Sequence, residues 1–159
     1  MVNSQNEFDF SKMFNPKRII DLKASTKEEA LKELAKLMAS SPEITDPEEF
    51  EKGIFEREKQ LSTGVGIGVA VPHVKIASVK DFIAAIGRSH RGIDYNSIDN
   101  KPVHIIVMIG ASDTQSGEYL KVLARLVLRL KQKEFRRKVM LAKSPEEIRD
   151  LFLSGDYKG

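Results

Sequence analysis

The sequence predicts an α/β fold, a three-layer α/β/α sandwich with a mixed central sheet. Three observations carry this. Apolar segments of strand length alternate with longer segments of helical period. The run Val103 to Ala111 is almost continuously apolar, as a strand covered on both faces must be. Capping residues stand in front of the helical segments, at Ser25 or Thr26, Asp46 and Ser144.

Residues 1 to 9 are polar and are expected to be disordered or frayed, and residues 10 to 159 are expected to form one domain. Phe10 to Phe14 reads as a short amphipathic turn before Asn15-Pro16, and Arg18 to Leu22 as the first strand. A first long helix follows, with Ala30, Leu31, Leu34, Ala35, Leu37 and Met38 in period and Glu28 and Glu29 at its positive end, until Ser40-Ser41-Pro42 stops it. Asp46-Pro47 opens a second, whose apolar stripe is Phe50, Ile54 and Phe55 and whose last turns carry Arg57. Val69 to Val71 and Phe82 to Gly87 are short apolar strands, and Val103 to Ala111 is the strongest. Gln115 to Lys131 reads as a helix with Leu120, Leu123, Ala124, Val127, Leu128 and Leu130 inward. Glu134 to Ala142 is a further helix, and Ser144-Pro145-Glu146-Glu147 caps a final one carrying Ile148, Leu151 and Phe152.

Composition narrows the function. With 159 residues, 41% hydrophobic and 31% charged, the chain reads as an ordinary globular protein. No apolar run approaches the roughly 20 residues of a membrane span, so no direct membrane insertion is expected. The N-terminus has neither the basic region nor the apolar stretch of a secretory signal. Zero cysteines leave no disulfide framework or thiolate metal site, which fits a cytoplasmic location. The 26 basic and 23 acidic residues are interspersed, apart from Arg125, Arg129, Lys131, Lys133, Arg136, Arg137, Lys138 and Lys143 on consecutive helices. That concentration reads as a solvated face or a surface for an acidic protein. Only Phe135 among them offers a ring, so nucleic acid is not an expected partner.

The richest segment is Arg57-Glu58, Ser62-Thr63-Gly64, Gly66, Gly68-Val69-Ala70-Val71-Pro72-His73. It sets a titratable imidazole beside backbone amides, hydroxyls and a guanidinium. Such a set suits phosphoryl transfer, in which positioning and charge stabilisation dominate. A neutral imidazole nitrogen is the nucleophile, and a pKa of about 6.5 leaves it free near neutrality. Arg57 offers a planar, always-charged fork for a phosphoryl group. Gly64, Gly66 and Gly68 permit close approach or positive φ that aims N–H groups at an anion, and Ser62 and Thr63 add hydroxyl donors. A purely structural reading also fits: the glycines mark a tight turn entering the strand at Val69, and Arg57 is one more cation on a helix. The run is not a dinucleotide fingerprint, since it precedes its strand and has Val69 where the third glycine belongs. Nor is it a P-loop, for no Gly-Lys-Ser/Thr follows. His90, in Ser89-His90-Arg91-Gly92, reads as a solvated turn residue and His104 as a hydrogen-bonded histidine of the buried strand. No histidine pair has metal-site spacing, so neither metal nor cofactor is expected.

These residues, with Ile98-Asp99-Asn100-Lys101-Pro102-Val103, resemble the IIA phosphocarrier domains of the mannitol and fructose type in the phosphoenolpyruvate-dependent phosphotransferase system, including its nitrogen-regulatory branch. The resemblance covers residues 10 to 153. It implies the same sandwich, a phosphoryl acceptor at His73 and the pocket arginine at Arg57. It implies a histidine-containing phosphocarrier protein as donor, and a IIB domain or regulatory target as acceptor. Ile67 replaces a residue that is usually polar, Val74 replaces the usual glycine after the histidine, and Tyr119 stands where many members carry a second histidine. Val74 is expected to crowd the phosphoryl group, and Tyr119 to donate a hydrogen bond without supplying a cation. The alternative is a non-catalytic protein-binding module with the same fold and an eroded pocket.

Overall fold

The computed structural model describes residues 10–154, so the expectation for residues 1 to 9 lies outside it. Short α1 (Phe10–Met13) runs directly into β1 (Phe14–Asp21), followed by α2 (Lys27–Ala39) and α3 (Pro47–Gln60). Three very short strands come next, β2 (Gly64–Gly66), β3 (Val69–Ala70) and β4 (His73–Lys75), then the long β5 (Ile83–Ile93) and β6 (Val103–Ala111). Helices α4 (Ser116–Lys131), α5 (Lys133–Leu141) and α6 (Pro145–Leu153) close the described chain.

The helices start where the capping residues stand. Thr26, Asp46 and Ser144 each accept the amide three residues on, and Pro47 and Pro145 occupy the first helical positions. The sheet is mixed, in the order β1-β5-β6-β3-β2, with β4 also paired to β6. β1 runs parallel to β5, β5 antiparallel to β6, and β3 and β4 both parallel to β6. Apolar residues on one sheet face (Ile105, Val107, Ile109) pack against α4, α5 and α6. The other face (Ile83, Ala85, Ile106, Met108) packs against α2 and α3. The result is the expected three-layer α/β/α sandwich.

Several boundaries differ from the sequence reading. β1 begins at Phe14, through Pro16, because it is the edge strand and proline's missing N–H costs no pairing there. β5 runs on to Ile93, so His90 is a strand residue and not a turn residue, though its side chain is exposed as expected. Polar Arg88 lies inside that strand because its guanidinium is satisfied: it bonds Asp21 and the carbonyls of Val139 and Ala142 at the end of α5. On α4 the inward residues are Tyr119, Val122, Leu126 and Leu130, with Leu123 and Val127 partly covered. Leu120, Ala124 and Leu128 face solvent, contrary to expectation, because the helix is turned so that Tyr119 meets the sheet. The basic concentration is partly structural. Arg136 bonds the carbonyls of Leu130 and Lys131, closing the end of α4, and Arg137 pairs with Glu134.

Candidate functional site

Parallel pairing with β6 places His73. Pro72 interrupts the strand because it has no N–H, yet its carbonyl accepts the Ile109 amide at 2.9 Å, and His73 resumes the ladder opposite Ile109. The ring is part-buried, and its Nδ1 lies 2.6 Å from the Val71 carbonyl. A carbonyl only accepts, so Nδ1 carries the hydrogen and Nε2 keeps the free lone pair. Burial is the main force that lowers the His73 pKa below its ordinary value. The Val71 bond and the charge of Glu58 raise it, and the charge of Arg57 lowers it further. A neutral ring held in one tautomer follows.

Around that ring stand groups from three elements. Arg57, near the end of α3, donates to the Leu61 carbonyl at 3.2 Å, and its charge acts on both His73 and Tyr119. Tyr119, in the first turns of α4, has its ring centroid 5.9 Å from that of His73 at an interplanar angle of 58°. Its hydroxyl is pushed up to about 12, first by burial and against the opposing effect of Arg57, so it remains a donor at neutral pH.

Lys75 is a residue that motif reading missed. It follows His73 by two positions in β4 and so shares its strand face. Its Nζ donates to Ser116 Oγ at 2.9 Å and lies 5.6 Å from the Tyr119 ring centroid. A cation therefore stands beside Tyr119 after all. The two-residue spacing from His73 was the available signal. Helix α4 also begins there without a side-chain cap, which leaves first-turn amides able to face an anion.

The remaining candidates are placed elsewhere. Gly66 and Gly68 flank the turn of the β2–β3 hairpin, where both adopt positive φ. Val69 pairs with Ile105 and His73 with Ile109, so the hairpin lies about 13 Å along β6 from the imidazole. Gly64 has no Cβ because one would come within 2.3 Å of Ser97 Oγ, and its amide donates to Ser62 Oγ. The Ser62 hydroxyl donates to the Tyr95 carbonyl, and the Thr63 hydroxyl is buried against Glu58 and Tyr95. Of the expected phosphoryl donors, Ser62, Thr63 and Gly64 thus have side-chain or amide groups engaged within the loop, while Gly66 and Gly68 lie at the hairpin turn.

The three departures find physical accounts. Ile67 is an exposed β-branched residue at φ 54°, held by Asp99, whose Oδ2 accepts its amide at 3.0 Å. Val74 does not crowd His73: strand alternation sends it to the opposite face, where its Cγ2 lies against α3 at Gly53, 3.0 Å from where a Cβ there would sit. Tyr119 keeps its proton and gains Lys75 as a neighbour. His104 bonds the Ser89 carbonyl at 2.8 Å. Among the described residues no cluster of three histidine or acidic side chains could hold a metal, and no helix is long and apolar enough to cross a membrane.

Known proteins are similar to this chain in sequence and fold. The family described as "Phosphoenolpyruvate-dependent sugar phosphotransferase system, EIIA 2" matches residues 12–155. The chain is 34% identical over 137 residues to the fructose-specific EIIABC component of Bacillus subtilis, covering 86% of this chain but only 22% of that longer protein. To the nitrogen regulatory protein of Bradyrhizobium diazoefficiens it is 33% identical over 131 residues, covering 80% of this chain and 82% of that one. Among solved structures, nitrogen regulatory protein IIA-Ntr from Neisseria meningitidis superposes with a TM-score of 0.85 at 30% identity, covering 91% and 99% of the two chains. The Escherichia coli mannitol IIA shares the fold, with a TM-score of 0.75 at 21% identity over 89% and 99%. On a match spanning nearly the whole described chain, this protein belongs to the EIIA 2 family of the phosphoenolpyruvate-dependent sugar phosphotransferase system.

Proposed function

We propose that the protein is a phosphohistidine carrier that accepts phosphoryl at Nε2 of His73. The observation that carries this is the 2.6 Å bond from Nδ1 to the Val71 carbonyl, which leaves one nitrogen unprotonated beside a guanidinium and a phenol. The donor is the phosphohistidine of a histidine-containing phosphocarrier protein. The Nε2 lone pair forms a new P–N bond as the donor's P–N bond breaks, and the departing electron pair stays on the donor imidazole, which takes a proton from solvent. Arg57 and Lys75 balance the phosphoryl charge, Tyr119 donates to a phosphoryl oxygen, and the Val71 carbonyl steadies the charge that builds on the ring.

The His73 ring is only part-buried, which leaves the phosphoryl within reach of a docking protein. Exposed Leu61, Ile98 and Leu120 offer apolar contacts to a docking protein, and Leu120 adjoins Tyr119 on α4. The acceptor is a IIB domain or, in the nitrogen-type role, a regulatory target that reads the phosphorylation state through local charge. An Escherichia coli mannitol IIA has been solved in complex with its phosphorylated IIB, which supports a protein acceptor here. Relay between such proteins places the chain in the cytoplasm.

Incubation with phosphoenolpyruvate and the two upstream phosphotransferases tests this directly by intact mass. One added phosphoryl, lost in His73→Ala, is the expected result. No addition with active upstream proteins would instead support a binding module without phosphoryl chemistry. Discharge on mixing with a IIB domain marks the transport role, and retention marks the regulatory one.

A further inference from the structure

A buried carboxylate beside Arg57 reaches the His73 ring through the backbone. Glu58, in the last turns of α3, has a side chain only 5% exposed, with Lys27 Nζ 2.7 Å from its Oε2. The Thr63 amide donates to Oε2 at 2.8 Å and the Thr63 hydroxyl to Oε1 at 2.6 Å. The Tyr95 hydroxyl lies 3.4 Å from Oε1 and 2.9 Å from Thr63 Oγ1, and Lys27 also sits over the Tyr95 ring, 4.6 Å from its centroid. A buried carboxylate persists only when its charge and lone pairs are met, and this one is met on every side.

The clamp has a direction. Thr63, held by both its amide and its hydroxyl, presents its carbonyl to the Val71 N–H at 3.0 Å. The Val71 carbonyl then receives the His73 Nδ1 hydrogen at 2.6 Å. Three consecutive links, carboxylate to Thr63, Thr63 to Val71 and Val71 to imidazole, run from the end of α3 to the ring.

We propose that Glu58 is a positioning residue for His73, fixing the orientation and tautomer of its imidazole through Thr63 and Val71. Its catalytic consequence rests on His73 being the phosphoryl acceptor, but the tautomer it enforces belongs to the unphosphorylated protein. Without the carboxylate, the Thr63 amide and hydroxyl lose their partners, the Ser62–Gly64 segment shifts, and the Val71 carbonyl no longer holds the ring in one state.

Nitrogen-15 NMR of the imidazole, at a pH above its titration, tests this alongside the rate of phosphoryl transfer from the phosphorylated phosphocarrier protein. The wild-type protein is expected to show one Nδ1–H tautomer. Glu58→Ala populates the Nε2–H form and slows transfer by roughly tenfold to a hundredfold, the scale of small misplacements. Glu58→Gln keeps an acceptor for the Thr63 amide and a donor for its hydroxyl, and stays within a few-fold of wild type. Should Glu58→Ala unfold, the near-isosteric Thr63→Val, which removes one link, decides the matter by a smaller change in the same direction. A folded Glu58→Ala, or Thr63→Val where that decides, with wild-type nitrogen shifts and rate overturns the proposal. A wild-type protein that takes no phosphoryl while its tautomer still responds to Glu58 leaves the positioning role standing and removes the carrier reading.

Discussion

His73 is held by a hydrogen bond that assigns its proton, and burial decides that the ring stays neutral. Its titration midpoint is therefore expected below about 6.5 by NMR, and the acid limb of phosphoryl acceptance should follow it. Arg57 contributes to the depression, so Arg57→Gln should raise the midpoint while slowing transfer; a midpoint at or above the ordinary value in the wild-type protein would refute this. The same shift acts on stability. The unfolded chain takes up a proton near pH 6.5 whereas folded His73 resists until lower pH, so stability falls as pH drops between those two values. Lys75 is expected to matter in proportion to its charge. Lys75→Met should slow phosphoryl acceptance by about tenfold, equivalent to ~1.4 kcal/mol of transition-state stabilisation, with little change in melting temperature. An unaltered rate would leave Tyr119 and Arg57 as the only side chains serving the phosphoryl. Motif reading singled out His73 and Arg57 and passed over Lys75, whose spacing from His73 gives its strand face but whose nearness to Tyr119 depends on α4 landing beside β4.

Among the elements, the helices were legible because capping chemistry is local: Thr26, Asp46 and Ser144 each do in the structure what their position in the chain suggests. Of the small strands only β3 was, as Val69 to Val71. β2 and β4 have three residues each, too few for a period, and exist because β6 and β3 supply partners from elsewhere in the sequence. The second half of β5 was hidden by Arg88, His90 and Arg91, whose polarity imitates a turn. At the hairpin tip, Ile67 adopts a left-handed conformation that suits asparagine far better than a β-branched residue. Ile67→Asn should therefore stabilise the protein by about 1 kcal/mol in urea unfolding; a loss of stability would mean that the exposed isoleucine has packing worth more than its strain. Asp99 holds that amide in either variant.

Across the whole molecule, Arg88 joins three elements, tying Asp21 of β1 to β5 and to the carbonyl end of α5. Arg88→Met should cost roughly 2–4 kcal/mol, since it takes the guanidinium from the Ala142 carbonyl and from the Asp21 carboxylate. Phosphorylation of the remaining folded protein should be unchanged, which a combined denaturation and mass measurement can establish; a selective loss of phosphorylation would mean that this tie reaches the imidazole. Layering itself was legible from the apolar runs, whereas the rotation of α4, which turns Leu120 and Leu128 outward and Tyr119 inward, depended on what the sheet could receive. Fit between layers also governs any attempt to graft the more usual glycine onto position 74. Its methyl groups occupy the notch above Gly53, so Val74→Gly alone would open a hole between β4 and α3. Exchanging the two together, with Gly53→Ala, puts a methyl group back into that notch from the helix side, so strand and helix exchange which of them supplies the carbon between them.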